Sequence, residues 1–192
     1  MIQGCCVESS KVTGAGTWYQ ILYWRCEALL TSRKFENQEK VSGIRSELLD
    51  LLDGLDYCLD WKPDPSAWSV RQVVYHILDT PAGGIHQVVW GMLSGEMAEF
   101  EIWADMDNMT ADRMGYDLEQ LREDIDGFFH ELNVAIESAT EEDFDEKSAL
   151  AHLRSRGVDE KRTVQELLDR AFEVHWSGHL AQISDLRDGL GM

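Results

Sequence analysis

Leu118, Leu121, Ile125, Phe128, Leu132 and Ile136 recur at steps of three and four through a stretch without proline. At about 3.6 residues per turn, that spacing lines one face of a helix roughly five turns long. A helix with one apolar face must bury it against another element, so this stripe constrains the fold more than any other feature. The same spacing recurs upstream. Val41, Ile44, Leu48, Leu52, Leu55 and Leu59 predict a first helix starting near Glu39. It stops before WKPDPSAWS, where Pro63 and Pro65 mark a turn-rich linker.

Ser69 predicts the start of a second helix. Ser69 and Gln72 stand at capping-box spacing, and Trp68 and Val73 suit a hydrophobic staple. Val70, Val73, Val74 and Ile77 form its apolar face. Pro81 and the Gly83-Gly84 pair must kink or interrupt it, and helical character resumes through IHQVVWGMLSG. Thr163 and Glu166 form another capping box, opening a last helix that runs to about Asp188, with Gly189 and Gly191 at its end. The stretches 96–117 and 139–162 read as polar connections, with Gly157 a turn. The expectation is an all-α four-helix bundle over residues 38–192 with no strand. Residues 1–37 read as an N-terminal appendage, either a short helix around TWYQILYWRCEALL or disordered, and carry no functional assignment.

Charge narrows the partners. Lys and Arg number 17 against 36 Asp and Glu, a net charge of -19. Such a surface repels nucleic acid and anionic membranes, although a local positive site such as a metal can still attract an anion. No apolar run approaches the roughly 20 residues of a membrane span, and no basic n-region precedes an apolar run. Cys5, Cys6, Cys26 and Cys58 form no CxxC pair and read as free thiols, so a reducing cytoplasm is expected.

The last helix carries the chemistry. Val164, Leu168, Ala171, Gln182, Ile183 and Leu186 form its stripe, and a rotation of about 100° per residue puts His175 near the centre, with His179 beside it. An inward His pair at i, i+4 can grip one metal ion, and neutral imidazole suits zinc, nickel or iron(II). Inward histidines can equally be hydrogen-bonded core residues. Residue 176 is Trp, so the HExxH motif and its general base are absent. Among the other histidines, His130 lies opposite the stripe of its helix and reads as solvated. His152 reads as a surface residue, and His86 cannot be placed. His76 falls between interior and boundary.

WSVRQVVYHILDT (68–80) and HWSGHLAQISDLR (175–187) together resemble the DinB/YfiT-like family, with its Trp-Ser opening of the second helix, a histidine eight residues on, and a final-helix HxxxH followed by Gln-Ile. The resemblance runs from the first helix to the C-terminus. It implies an up-down-down-up bundle and a divalent metal, zinc or nickel, held by His76, His175 and His179. It also implies kinship with S-transferases and isomerases that use a low-molecular-weight thiol (mycothiol, bacillithiol or glutathione), and a homodimer. It does not imply DNA binding. Pro81 and Gly83-Gly84 depart from the family pattern just after His76, and residues 1–37 have no counterpart.

Three neutral ligands would leave coordination positions open, which suits catalysis rather than a structural site. Asp79, Glu173 and Gln182 are the candidates to accept the ligands' other N–H groups. Cys58 reads as an inert thiol at the end of the first helix. Two further classes stay open: a metal- or small-ligand-binding module without turnover, and a helical interaction protein whose histidines are satisfied by neighbours.

Overall fold

The computed structural model describes residues 32–192. The first helix, α1, spans Arg33–Leu51 and starts earlier than its apolar repeat. Ser32 caps it, accepting from the Phe35 N–H. The leucine repeat outlasts the helix, because Leu55, Cys58 and Trp61 each donate to the carbonyl three residues back. These tight turns keep Leu52, Leu55 and Leu59 on the buried side. The proposed appendage, the short helix within it, and Cys5, Cys6 and Cys26 lie outside the described residues, apart from the opening of α1.

Helix α2 spans Val70–Leu78, and both hydrogen bonds of the Ser69–Gln72 capping box are made. Losing the Ser69 hydroxyl frees one helix N–H, so Ser69→Ala is expected to cost about 1 kcal/mol in chemical denaturation. An unchanged midpoint would remove the cap from the account of this helix. Arg71, in the first turn, is buried; it donates twice to Asp60 and also to the carbonyls of Arg113 and Tyr116. Helix α3 spans Ile85–Ser94 after the Pro81–Gly84 corner. Gly84 has φ +86°, and a Cβ there would stand 2.7 Å from the Leu78 carbonyl oxygen, so no side chain fits this corner.

The expectation of no strand is corrected. Strand β1 (Glu99–Ile102) pairs in parallel with β2 (Ser148–Leu153), and β2 pairs antiparallel with β3 (Val158–Thr163). The order is β1-β2-β3, with Phe100 opposite Ala151 and Ser148 opposite Thr163. Gly157, at φ +63°, closes the hairpin. Between β1 and β2 lie α4 (Ala111–Gly115), α5 (Leu118–Ser138) and α6 (Asp143–Glu146). Every residue of the α5 stripe is buried. Helix α5 packs on α1 and α3.

Thr163 ends β3 and caps α7 (Val164–Arg170) through the box with Glu166. A π-helical turn follows at Ala171–Trp176 and leads into α8 (Ser177–Leu190), which packs on α1 and α2. A π turn inserts one residue, so everything beyond it lags by about 100° relative to a continuous α-helix. The lag explains a correction to the stripe of the last helix. Trp176 and Leu180 occupy the core, while His175, His179 and Gln182 stand half-buried at its edge, facing α2. Among the described residues, no helix is long and apolar enough to cross a membrane.

Candidate metal centre

His76 comes from the last turn of α2, His175 from the π turn and His179 from the first turn of α8. One ring nitrogen from each lies within 4.8 Å of the others. His76 is buried; its partners are half-buried. The His76 and His175 Nε2 atoms are 2.9 Å apart. Two bare lone pairs at that distance repel, so a proton or a cation must lie between them.

Hydrogen bonds outside the cluster settle which nitrogens point inward as acceptors. The Met106 carbonyl lies 2.6 Å from His76 Nδ1. A carbonyl can only accept, so His76 Nδ1 carries the proton and Nε2 presents a lone pair. Gln182 Oε1 is 2.9 Å from His179 Nδ1, and an amide oxygen there fixes the same tautomer. Thr80 Oγ1 also approaches His76 Nδ1, at 3.2 Å, and Asn108 Nδ2 donates to that hydroxyl. Asn108, two residues after Met106, has φ +54°, a left-handed conformation.

Burial holds all three rings neutral. It lowers the pKa of His76, His175 and His179, and pushes His175 down to about 3, where mutual repulsion with His179 and His76 in their protonated forms adds to the effect. Neutral imidazoles are the protonation state that donates to a metal. Trp68 packs on this cluster, its ring 4.8 Å from His76 and stacked on His179 at 6.2 Å. The indole thus walls one side of the site, beyond the staple role read from the sequence.

Of the three expected supports, only Gln182 bonds a ligand-candidate ring. Asp79 is turned away: it accepts from the Gly83 N–H and pairs with Arg113 at 2.9 Å, tying the α2–α3 corner to α4. Glu173 points to the surface and pairs with Lys40 at 3.1 Å. The other histidines stand apart. His130 is exposed, as expected. His86 pairs with Glu131 at 2.9 Å and meets the Phe128 ring edge-on. His152 lies on β2 rather than in a coil, bonded to Asp159 at 2.8 Å. Cys58 is a half-buried free thiol.

His175 and His179 also line a cavity of about 400 Å³ between the sheet, the α2–α3 corner and the last helix. The comparisons with known proteins bear on both fold and site. Residues 41–183 match the DinB superfamily, a span that contains His76, His175 and His179. The chain belongs to the DinB superfamily. No curated protein matches it. Among solved structures it resembles YfiT from Bacillus subtilis, described as a probable metal-dependent hydrolase with an unusual four-helix bundle topology. The TM-score is 0.60 at 18% identity, over 83% of this chain and 88% of YfiT. A Streptococcus pneumoniae protein matches with a TM-score of 0.55 at 11% identity, over 84% of this chain and 96% of its own. A Clostridium difficile 630 protein matches with 0.53 at 10%, over 81% and 95%. These likenesses establish a shared fold.

Proposed function

We propose that His76, His175 and His179 hold one divalent ion through their Nε2 atoms, and that this ion serves a reaction in the adjoining cavity. The observation that carries the reading is the convergence of three neutral rings, two of them locked into the donating tautomer by groups outside the cluster. The donor set fits the group: three nitrogens and no thiolate suit zinc or nickel with positions left open. When bound, such an ion supplies Lewis acidity, acidifying water or a cofactor thiol at neutral pH.

The protein's own residues do the positioning. Met106 and Gln182 orient the rings, Trp68 excludes water from one side, and the cavity admits a small molecule to the other. Transfer to or isomerisation with a low-molecular-weight thiol is the reaction class we favour, by the family resemblance. Hydrolysis is the second reading, favoured by the description of YfiT. A binding module without turnover is the alternative to both. The same reading includes an up-down-down-up helix order, a cytoplasmic location, small-molecule partners and a homodimer.

Elemental analysis of untagged protein tests the metal: about one zinc or nickel per chain is expected, and none would sink the site. Thermal shift of the metal-loaded protein with mycothiol, bacillithiol and glutathione then separates the thiol reading from the hydrolytic one. Gln182→Leu should weaken zinc binding by about 10–100-fold, because the His179 ring loses its orienting acceptor. Competition against a chromogenic chelator measures this; an unchanged constant would leave Gln182 without a role.

A further inference from the structure

Acidic residues outnumber basic ones 36 to 17 in this chain, yet the charged residues lining the cavity beside the histidines are all arginines: Arg156, Arg162 and Arg170. They come from the hairpin turn, from β3 and from the end of α7. Arg162 is buried. Its Nε and Nη2 donate to Glu160, and its Nη1 meets no protein acceptor among the described residues. Glu160 also pairs with Arg170 at 3.6 Å, so one carboxylate is shared between two guanidinium groups and does not neutralise both. The remaining wall is largely apolar and includes Ile85, Ile102, Leu153 and Leu167.

We infer that the cavity binds a small oxyanion-bearing molecule, its carboxylate or phosphate on the arginines and its apolar body along the wall towards His175 and His179. The assignment rests on the metal reading only for what happens at the far end of that ligand. A guanidinium offers paired N–H donors that match a carboxylate or phosphate, and a buried one keeps its charge. The net charge of the protein does not oppose this. Beyond a screening length of about 8 Å at physiological salt the surface carboxylates are damped, whereas the arginines act at contact. Arg162 Nη1 is not sealed from the cavity, so an entering oxyanion can reach it.

Calorimetry on the full chain, zinc-loaded and chelator-treated, tests the assignment with 4-phenylbutanoate, 3-phenylpropylphosphonate and the neutral 4-phenylbutanamide. The acids should bind and the amide should not, and whichever acid is tighter identifies the anion class. Arg162→Gln should weaken the acid at least tenfold, with Arg162→Lys recovering part of the loss. Because Arg162 is buried, the Arg156→Gln/Arg170→Gln double variant provides a second reading on more exposed positions; it too should weaken the acid with unchanged zinc content and melting temperature. Equal binding of acid and amide, no binding of either acid, or full affinity in the arginine variants would overturn the assignment. Arginine-dependent binding to a protein that holds no zinc would retain it and sink the metal reading instead.

Discussion

Trp176→Ala is expected to cost about 3–5 kcal/mol, the range for truncating a large buried aromatic. In a chain of this size that corresponds to a fall in Tm of about 6–20 °C. The indole is fully buried, and its ring meets Phe128, Phe129 and Phe172 edge-on at 5.8, 5.6 and 5.5 Å. Alanine would leave a cavity walled by three rings that cannot all move in, because they belong to α5 and to the π turn itself. The indole Nε1 has no hydrogen-bond partner among the described residues. Trp176→Phe removes that uncompensated donor while keeping most of the ring, so it should cost well under half as much. Circular dichroism melts of the two variants decide it. A loss below about 1 kcal/mol for alanine would mean that the π turn is not anchored by this side chain.

The same residue marks where the sequence stops being legible. Its periodicity pointed to a continuous final helix with His175 at the centre of the buried stripe. The spacing was sound, and His175 and His179 do stand together. A π turn has no residue signature, however, and its one-residue lag gives the centre to Trp176 and moves the histidines to the edge. That edge is where a site needs them, open to the cavity instead of sealed in the core. The sheet was hidden for another reason. The inward positions of β2 are Ala149, Ala151 and Leu153, two of them too small to register as an apolar alternation, and β3 reads VDEKRT. Arg162 stands beside Asp159, Glu160 and Lys161 in that run, yet it is buried.

Around the imidazoles, legibility depended on whether the supporting group is a side chain or backbone. Gln182 lies three residues beyond His179 on one helix, so its contact follows from helical geometry. Asp79 stands at the same spacing from His76, and Glu173 two residues before His175, and they are taken by Arg113 and Lys40. Helical spacing establishes reach, not preference, and an arginine or lysine outbids a neutral ring for a carboxylate. The strongest support of His76 is a carbonyl of Met106, thirty positions away in the chain. No residue type encodes a carbonyl, and the loop that delivers it depends on Asn108 and Thr80 meeting across the fold.

His175→Ala/His179→Ala carries the other large effect. One imidazole of three remains, and the zinc content of purified protein is expected to fall from about one per chain to none, with binding weakened by at least about a thousandfold. For the parent, zinc at roughly 1,000 times its Kd should add about 4 kcal/mol to stability, a shift that the double variant should lose. The variant should still fold, since both rings are half-buried at the edge of the core and leave Trp176 in place. Acid separates the two proteins even without metal. Burial lowers the pKa of His76, His175 and His179, that of His175 to about 3. Below the ordinary value of about 6.5 the unfolded chain therefore takes up protons that the folded chain refuses. The stability of the metal-free parent should hold above that pH and fall as pH drops from there towards the folded values. The double variant, with one such ring left, should fall less steeply over the same window. Denaturant titrations at pH 7.5, 6 and 5 measure both slopes. Parallel curves would show that these rings are not held neutral by the fold, and zinc retained by the variant would move the metal elsewhere.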